Sequence, residues 1–193
     1  MNLTRPSLPS DEEVHWHGLS KDLMIAFSEY VNDQEPGICG SYSLAAFLDV
    51  LDRLKGEEGM SFEERLQALV PLVERKFPYS GTFAWDILKG LKEFLPKNCH
   101  SGLHWSFNPH LAAKRCLDGP VVLPIILGTS WLQGSPYGNH WVLAYAYKKE
   151  EEGIVFSCYD NHGNSEALIP SAEVLTAIWL DPGSFVNRAS VLK

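Results

Sequence analysis

The sequence predicts an α+β fold, an N-terminal helical part packed on a C-terminal antiparallel β-sheet. Two observations carry this. In the first part of the chain, apolar residues recur at three- and four-residue spacing, the period of helices with one buried stripe. From Val121 onward the pattern changes. The runs VVLPIIL, HWVLAYAY and GIVFSCYD are short, rich in β-branched and aromatic residues, and separated by Gly, Pro or charged clusters, as sheet strands are. Helices first and strands afterwards is the order of an α+β chain.

Taken in order, residues 1–10 are rich in Pro and Ser and read as a loose arm of one domain spanning residues 1–193. Leu23 to Val31 is apolar and fits either helix or strand. Asn32 to Gly37 is a loop of turn formers. In SYSLAAFLDVLDRLKG, Leu44, Phe47, Leu48 and Leu51 share a helical face and Gly56 is a natural stop, which predicts a helix from about Gly40 to Lys55. Ser61 and Glu64 form a capping box that opens a second helix over LQALVPLVERKF, with Pro71 placed to kink it. A third helix is predicted after Thr82, through Phe83, Ile87, Leu91 and Phe94, stopping at Pro96. Short helical character returns from Pro109 to Leu117. The strands follow, the last two joined by a KKEEEG turn. A final short helix is predicted over Ser171 to Leu180. There is no internal repeat and no low-complexity segment.

Composition bounds the function. A chain of 193 residues can bury a core, and 45% hydrophobic with 21% charged residues is ordinary for a soluble globular protein. The net charge of -8, with Lys and Arg scattered, argues against nucleic-acid and membrane partners. The N-terminus MNLTRPSLPSDEE lacks the apolar core of a signal peptide, and no stretch approaches the roughly 20 apolar residues of a membrane span. A cytoplasmic location is the expectation, with signal-less secretion left open. Cys39, Cys99, Cys116 and Cys158 form no CxxC pair and are expected as thiols. His15-Trp16-His17 and His100-x-x-x-His104 have metal-capable spacing, but no acidic or Cys partner beyond Cys99 stands nearby. They read as surface or loop histidines, and neither a metal nor a cofactor is expected.

The residues that carry chemistry lie in a fixed order. Cys39 follows a Gly-bearing turn and directly precedes a strong helix. A helix N-terminus stabilises a thiolate, so a low-pKa nucleophile is expected there. His140 opens the strand WVLAYAY after a Gly-rich loop, at a sheet rim suited to a general base. The next strand ends at Asp160 and Asn161. A hairpin brings that end back to His140, where a third group would orient the imidazole. Alternation lets only one of the two point at the ring. Asp160 is preferred and Asn161 is the alternative. The backbone N–H of Cys39 and the side-chain amide of Gln34 are candidate oxyanion donors. Trp131, Tyr137 and Trp141 flank the His loop as groove or core aromatics, and His162 is a turn residue beside Asp160.

These motifs resemble the papain-like cysteine peptidases, most closely the bacterial bacteriocin-processing, double-glycine-leader group. Gln34-Glu35-Pro36-Gly37-Ile38-Cys39-Gly40-Ser41-Tyr42-Ser43-Leu44-Ala45 is similar to their nucleophile motif. Asp118-Gly119-Pro120-Val121-Val122 resembles the strand before the catalytic His, and His140-Trp141-Val142-Leu143-Ala144-Tyr145 the His strand. Ser41 and Tyr42 depart from the Pro or small residue usual there, and Asn161 from the usual Pro. Reading Cys39-Gly40-Ser41 as papain's own triplet would put Tyr42 at the nucleophile position, and the helix favours Cys39 instead. The resemblance implies a papain-like fold and hydrolysis of peptide or amide bonds of a peptide or protein substrate, through Cys39, His140, Asp160 and Gln34. An acyltransferase, a deamidase and an inactive binding module on the same fold remain the alternatives.

Overall fold

Apolar periodicity and local capping set most of the helices. The computed structural model describes residues 15–33, 37–74 and 81–186, so the arm over residues 1–10 lies outside the described residues. Chain order runs β1 (His17–Gly18), two 3-10 turns over Lys21–Leu23 and Ile25–Glu29, α1 (Cys39–Lys55), α2 (Phe62–Val73), α3 (Ala84–Phe94), β2 (Leu103–Ser106), α4 (Pro109–Cys116), β3 (Ile125–Thr129), β4 (His140–Glu150), β5 (Gly153–Tyr159), β6 (Ala167–Pro170), β7 (Val174–Leu180) and α5 (Pro182–Val186). The result is a mixed α and β fold with an open antiparallel sheet.

Leu44, Phe47 and Leu51 of α1 are buried, as their spacing requires, and Gly56 ends the helix in the left-handed conformation at φ 68°. The capping box of α2 is present. The Ser61 hydroxyl accepts from the Glu64 N–H at 3.2 Å, and the Glu64 carboxylate accepts from the Ser61 N–H at 3.0 Å. Pro71 lies two residues before the last residue of α2, so the break it imposes falls at the helix terminus, where Glu74 ends the turn. The segment left open between helix and strand forms the two 3-10 turns.

The sheet order is β2-β7-β3-β4-β5-β6, with β1 pairing beside β4, and every pairing is antiparallel. Helices α1, α2 and α3 cover one face, packing on Ile126, Leu143, Tyr145 and Ile178. Helix α4 covers the other, packing on Leu127, Val142, Ala144 and Ala177. Both faces of β4 are therefore dry from His140 to Tyr147. This is why HWVLAYAY reads as a continuous apolar run and not as an alternating strand. Glu150 pairs with Gly153, so the charged turn tightens to Glu151 and Glu152.

Two expectations are corrected. The helix expected over Ser171 to Leu180 is only a 3-10 turn over Ser171–Glu173, and Val174–Leu180 is the strand between β2 and β3. A strand covered on both faces shows little alternation, and its Leu, Ala and Ile content imitated a short helix. The run VVLPIIL becomes a strand only at Ile125, because Pro124 has no N–H to give to a ladder. Strands β1, β2 and β6 are too short to have left a periodic signal. No helix among the described residues is long and apolar enough to cross a membrane.

Candidate functional site

Cys39 is the first residue of α1 and is 8% exposed. The expected low-pKa thiol is not what its surroundings produce. Burial pushes the thiol up to about 11, and the Glu74 carboxylate adds to the rise. Backbone hydrogen bonds from Trp141, Gly40 and Cys39 itself oppose it without prevailing. Desolvation therefore outweighs the helix N-terminus, and Cys39 is a neutral thiol at neutral pH.

His140 opens β4 opposite Thr129, whose hydroxyl donates to the carbonyl oxygens of His140 and Gly138 at 3.2 and 3.0 Å. Its Nε2 lies 2.8 Å from the backbone carbonyl oxygen of Asp160. A carbonyl only accepts, so Nε2 carries the proton and the neutral ring keeps its lone pair on Nδ1. Tyr137 stacks on the imidazole with centroids 5.6 Å apart and planes 11° apart, and the His162 ring lies 4.4 Å away, tilted by 34°. Burial holds His140 below its ordinary value, and nearby His162 pushes the same way. The Asp160 carbonyl and carboxylate oppose the fall. The ring is neutral at neutral pH.

The β4–β5 hairpin brings the end of β5 to His140, as its geometry predicts, but neither expected side chain meets the ring. The Asp160 carboxylate turns away, accepting from the Tyr137 hydroxyl at 3.0 Å and from the backbone N–H of His162 and Asn164 at 2.8 and 3.0 Å. With two backbone donors within four residues, and the Tyr137 hydroxyl besides, the carboxylate stays with its own turn. Only its backbone carbonyl serves the imidazole. Asn161 is buried at φ 49°, and its side-chain N–H donates to the Trp141 carbonyl at 2.8 Å and the Ser43 hydroxyl at 3.4 Å. It ties β5 to β4 and α1. Asn tolerates the left-handed region better than most residues, which accounts for its place in this turn.

Compared with known proteins, the chain matches no family model, no curated protein and no solved structure.

Two residues of the site, Glu74 and Thr82, escaped the sequence reading. Glu74, Thr82 and Trp141 surround the first turn of α1, and their roles arise from contacts between distant segments. Trp141, read as a groove or core aromatic, is 8% exposed, and its indole N–H donates to the Thr82 carbonyl at 2.8 Å. Only Trp131 of the flanking aromatics is widely exposed, at 64%. Gln34, the expected oxyanion donor, lies outside the described residues.

Among the described residues, no group of three or more His, Cys, Asp or Glu could hold a metal ion. His17 pairs with Asp118 at 3.0 Å and stacks on Tyr147, while His100 Nε2 is 2.9 Å from the Leu95 carbonyl. All four cysteines are buried, with no disulfide among them. A cleft of about 620 Å³ lies elsewhere, lined by Trp16, Gly18, Tyr145, Ser157 and Leu168. It holds none of Cys39, His140 or Asp160.

Proposed function

We propose that the chain is a papain-like cysteine hydrolase that cleaves peptide or amide bonds, with Cys39 as nucleophile and His140 as base. One observation carries the reading. The Asn161 side chain donates both to the Ser43 hydroxyl of α1 and to the Trp141 carbonyl of β4, so the start of α1 meets the start of β4 beside His140. The carbonyl of Asp160 fixes Nε2 and leaves Nδ1 as the acceptor. Nucleophile and base then come from two rigid elements, with the base held by a third.

Both groups rest neutral, so proton transfer accompanies attack. His140 Nδ1 takes the thiol proton as the Cys39 sulfur bonds to the substrate carbonyl carbon and the C=O electron pair moves onto oxygen. The backbone N–H at the start of α1 is the candidate donor to that oxygen. Collapse breaks the C–N bond, and the imidazolium returns the proton to the leaving nitrogen. Water then attacks the thioester while Nδ1 takes its proton, the acid departs, and the thiol re-forms. Transfer to an amine and side-chain deamidation share the acyl-enzyme, and product mass separates them from peptide hydrolysis.

The test is acylation by p-nitrophenyl acetate, read as nitrophenolate release and intact mass. One acetyl group on Cys39, absent from Cys39→Ala, is expected. An enzyme that releases no nitrophenolate and carries no acetyl on Cys39 sinks the reading. The thiol raised to about 11 favours a second reading, a binding module of the same fold without turnover. That module would bind unchanged as Cys39→Ala.

A further inference from the structure

Beside Cys39 lies a half-buried carboxylate that the steps above do not use. Glu74 directly follows α2. Its Oε1 accepts from the Ser41 backbone N–H at 3.0 Å and the Ser41 hydroxyl at 2.7 Å, and its Oε2 accepts from the Thr82 hydroxyl at 2.6 Å. Ser41 is the third residue of α1, and its N–H is one of those a helix leaves without an internal partner. Ile38, at the cap position, makes no side-chain cap bond. A residue 33 positions away in sequence supplies the cap instead.

The contacts continue around the nucleophile. Thr82 presses on Gly40 so closely that a Cβ there would fall 2.3 Å from its hydroxyl oxygen. The Thr82 carbonyl accepts from the Trp141 indole, and Trp141 is buried in the same core cluster as Cys39. Ser41, Glu74, Thr82 and Trp141 thus form one hydrogen-bonded chain around the first turn of α1. The charged group acting on the Cys39 thiol is Glu74 at the end of α2, and Asp86 of α3 acts on Glu74 in turn.

We propose that Glu74 is a positioning residue: its carboxylate locks the first turn of α1 against the start of β4, and its negative charge keeps the Cys39 sulfur protonated until His140 takes the proton. This rests on Cys39 being the nucleophile. A thiolate forming beside a fixed carboxylate is repelled by it, so losing the charge favours ionisation. In Glu74→Gln the amide oxygen still accepts from Ser41, and the amide N–H₂ faces the Thr82 hydroxyl, which can accept.

The experiment measures iodoacetamide alkylation of Cys39 against pH, with the modified peptide identified by mass and Tm recorded alongside. Glu74→Gln is expected to keep its Tm and to alkylate about tenfold faster at a fixed pH on the rising limb, a profile moved to lower pH. Ser41→Ala removes the hydroxyl donor and leaves the charge. Its profile stays in place, while acetylation by p-nitrophenyl acetate slows several-fold. An unmoved profile in Glu74→Gln overturns the electrostatic half, and a wild-type acetylation rate in Ser41→Ala overturns the positioning half. A merely structural Glu74 would lower the Tm of Glu74→Gln and leave its alkylation profile in place. Alkylation needs no turnover, so a chain that alkylates as expected but is never acetylated by the ester defeats the hydrolase reading alone.

Discussion

The imidazole of His140 is held by the backbone carbonyl of Asp160, 2.8 Å from Nε2, and not by its carboxylate. The distinction has a measurable consequence. Asp160→Asn leaves the carbonyl where it is. Its amide oxygen still accepts from the His162 and Asn164 N–H groups. Acylation is expected to fall less than about tenfold, against the ~10⁴-fold loss typical when the side chain itself fixes the tautomer. Acetylation rates of the two proteins decide this.

The same residue sets an acid limb. Burial holds His140 below 6.5, and the base must be neutral to act. Acylation is therefore expected to hold from neutral pH down past 6.5 and to fall at lower pH. The Asp160 charge opposes the lowering, so Asp160→Asn moves the limb further to acid. Stability follows the same sign. The folded state binds this proton less readily than the unfolded state, so the contribution is full above pH 6.5 and is lost as pH falls below it. A pH-rate profile with parallel denaturant melts checks both.

At the alkaline end the sign reverses. Burial pushes the thiols of Cys39 and Cys116 up to about 11 and about 12 from an ordinary 9.0, and raises that of Cys158. The folded state keeps these protons longer than the unfolded chain does. Stability is expected to decline as pH rises above 9, and Cys39→Ala flattens the part of the decline between 9 and 11.

Gly40→Ala reverses an ordinary rule. Within a helix, Ala exceeds Gly by roughly 0.5–1 kcal/mol. Here the added methyl meets the Thr82 hydroxyl oxygen at 2.3 Å and its Cβ at 2.5 Å. A net loss of about 1–3 kcal/mol is expected, as for overpacked sites. Chemical denaturation measures it, and acylation falls with it because Thr82 braces Trp141.

Asn161 offers a two-part test. Asn161→Ala loses the bonds to Trp141 and Ser43 and strains a left-handed residue, for a loss of about 2–4 kcal/mol. Asn161→Gly loses the bonds without the strain and is expected to be the milder by about 1 kcal/mol. Equal losses would assign the whole effect to the side-chain bonds.

Legibility from sequence followed the range of the forces. The face of α1, the capping box of Ser61 and Glu64, and the β4–β5 hairpin are set within a few residues, and all were readable. β7 was misread because burial on both faces erased its alternation. His140 and Asp160 were brought together by hairpin geometry, yet which atom of Asp160 serves the ring depends on the turn at His162 and Asn164. Glu74 left no local sign, since its partners Ser41 and Thr82 come from two other segments. The raised Cys39 thiol has the same origin, because burial is decided by tertiary packing and outweighs the helix terminus that the sequence advertised.

The pairing of Cys39 with His140 is tested most directly by chemical rescue. The rate of Cys39 acetylation by p-nitrophenyl acetate is measured for the wild type and for His140→Gly, with and without free imidazole. The account predicts a fall of about a hundredfold or more in His140→Gly and a partial return when imidazole is added, with the acetyl group still on Cys39. An unchanged rate in His140→Gly, or acetyl groups spread over Cys99 and Cys116 as much as Cys39, would contradict it.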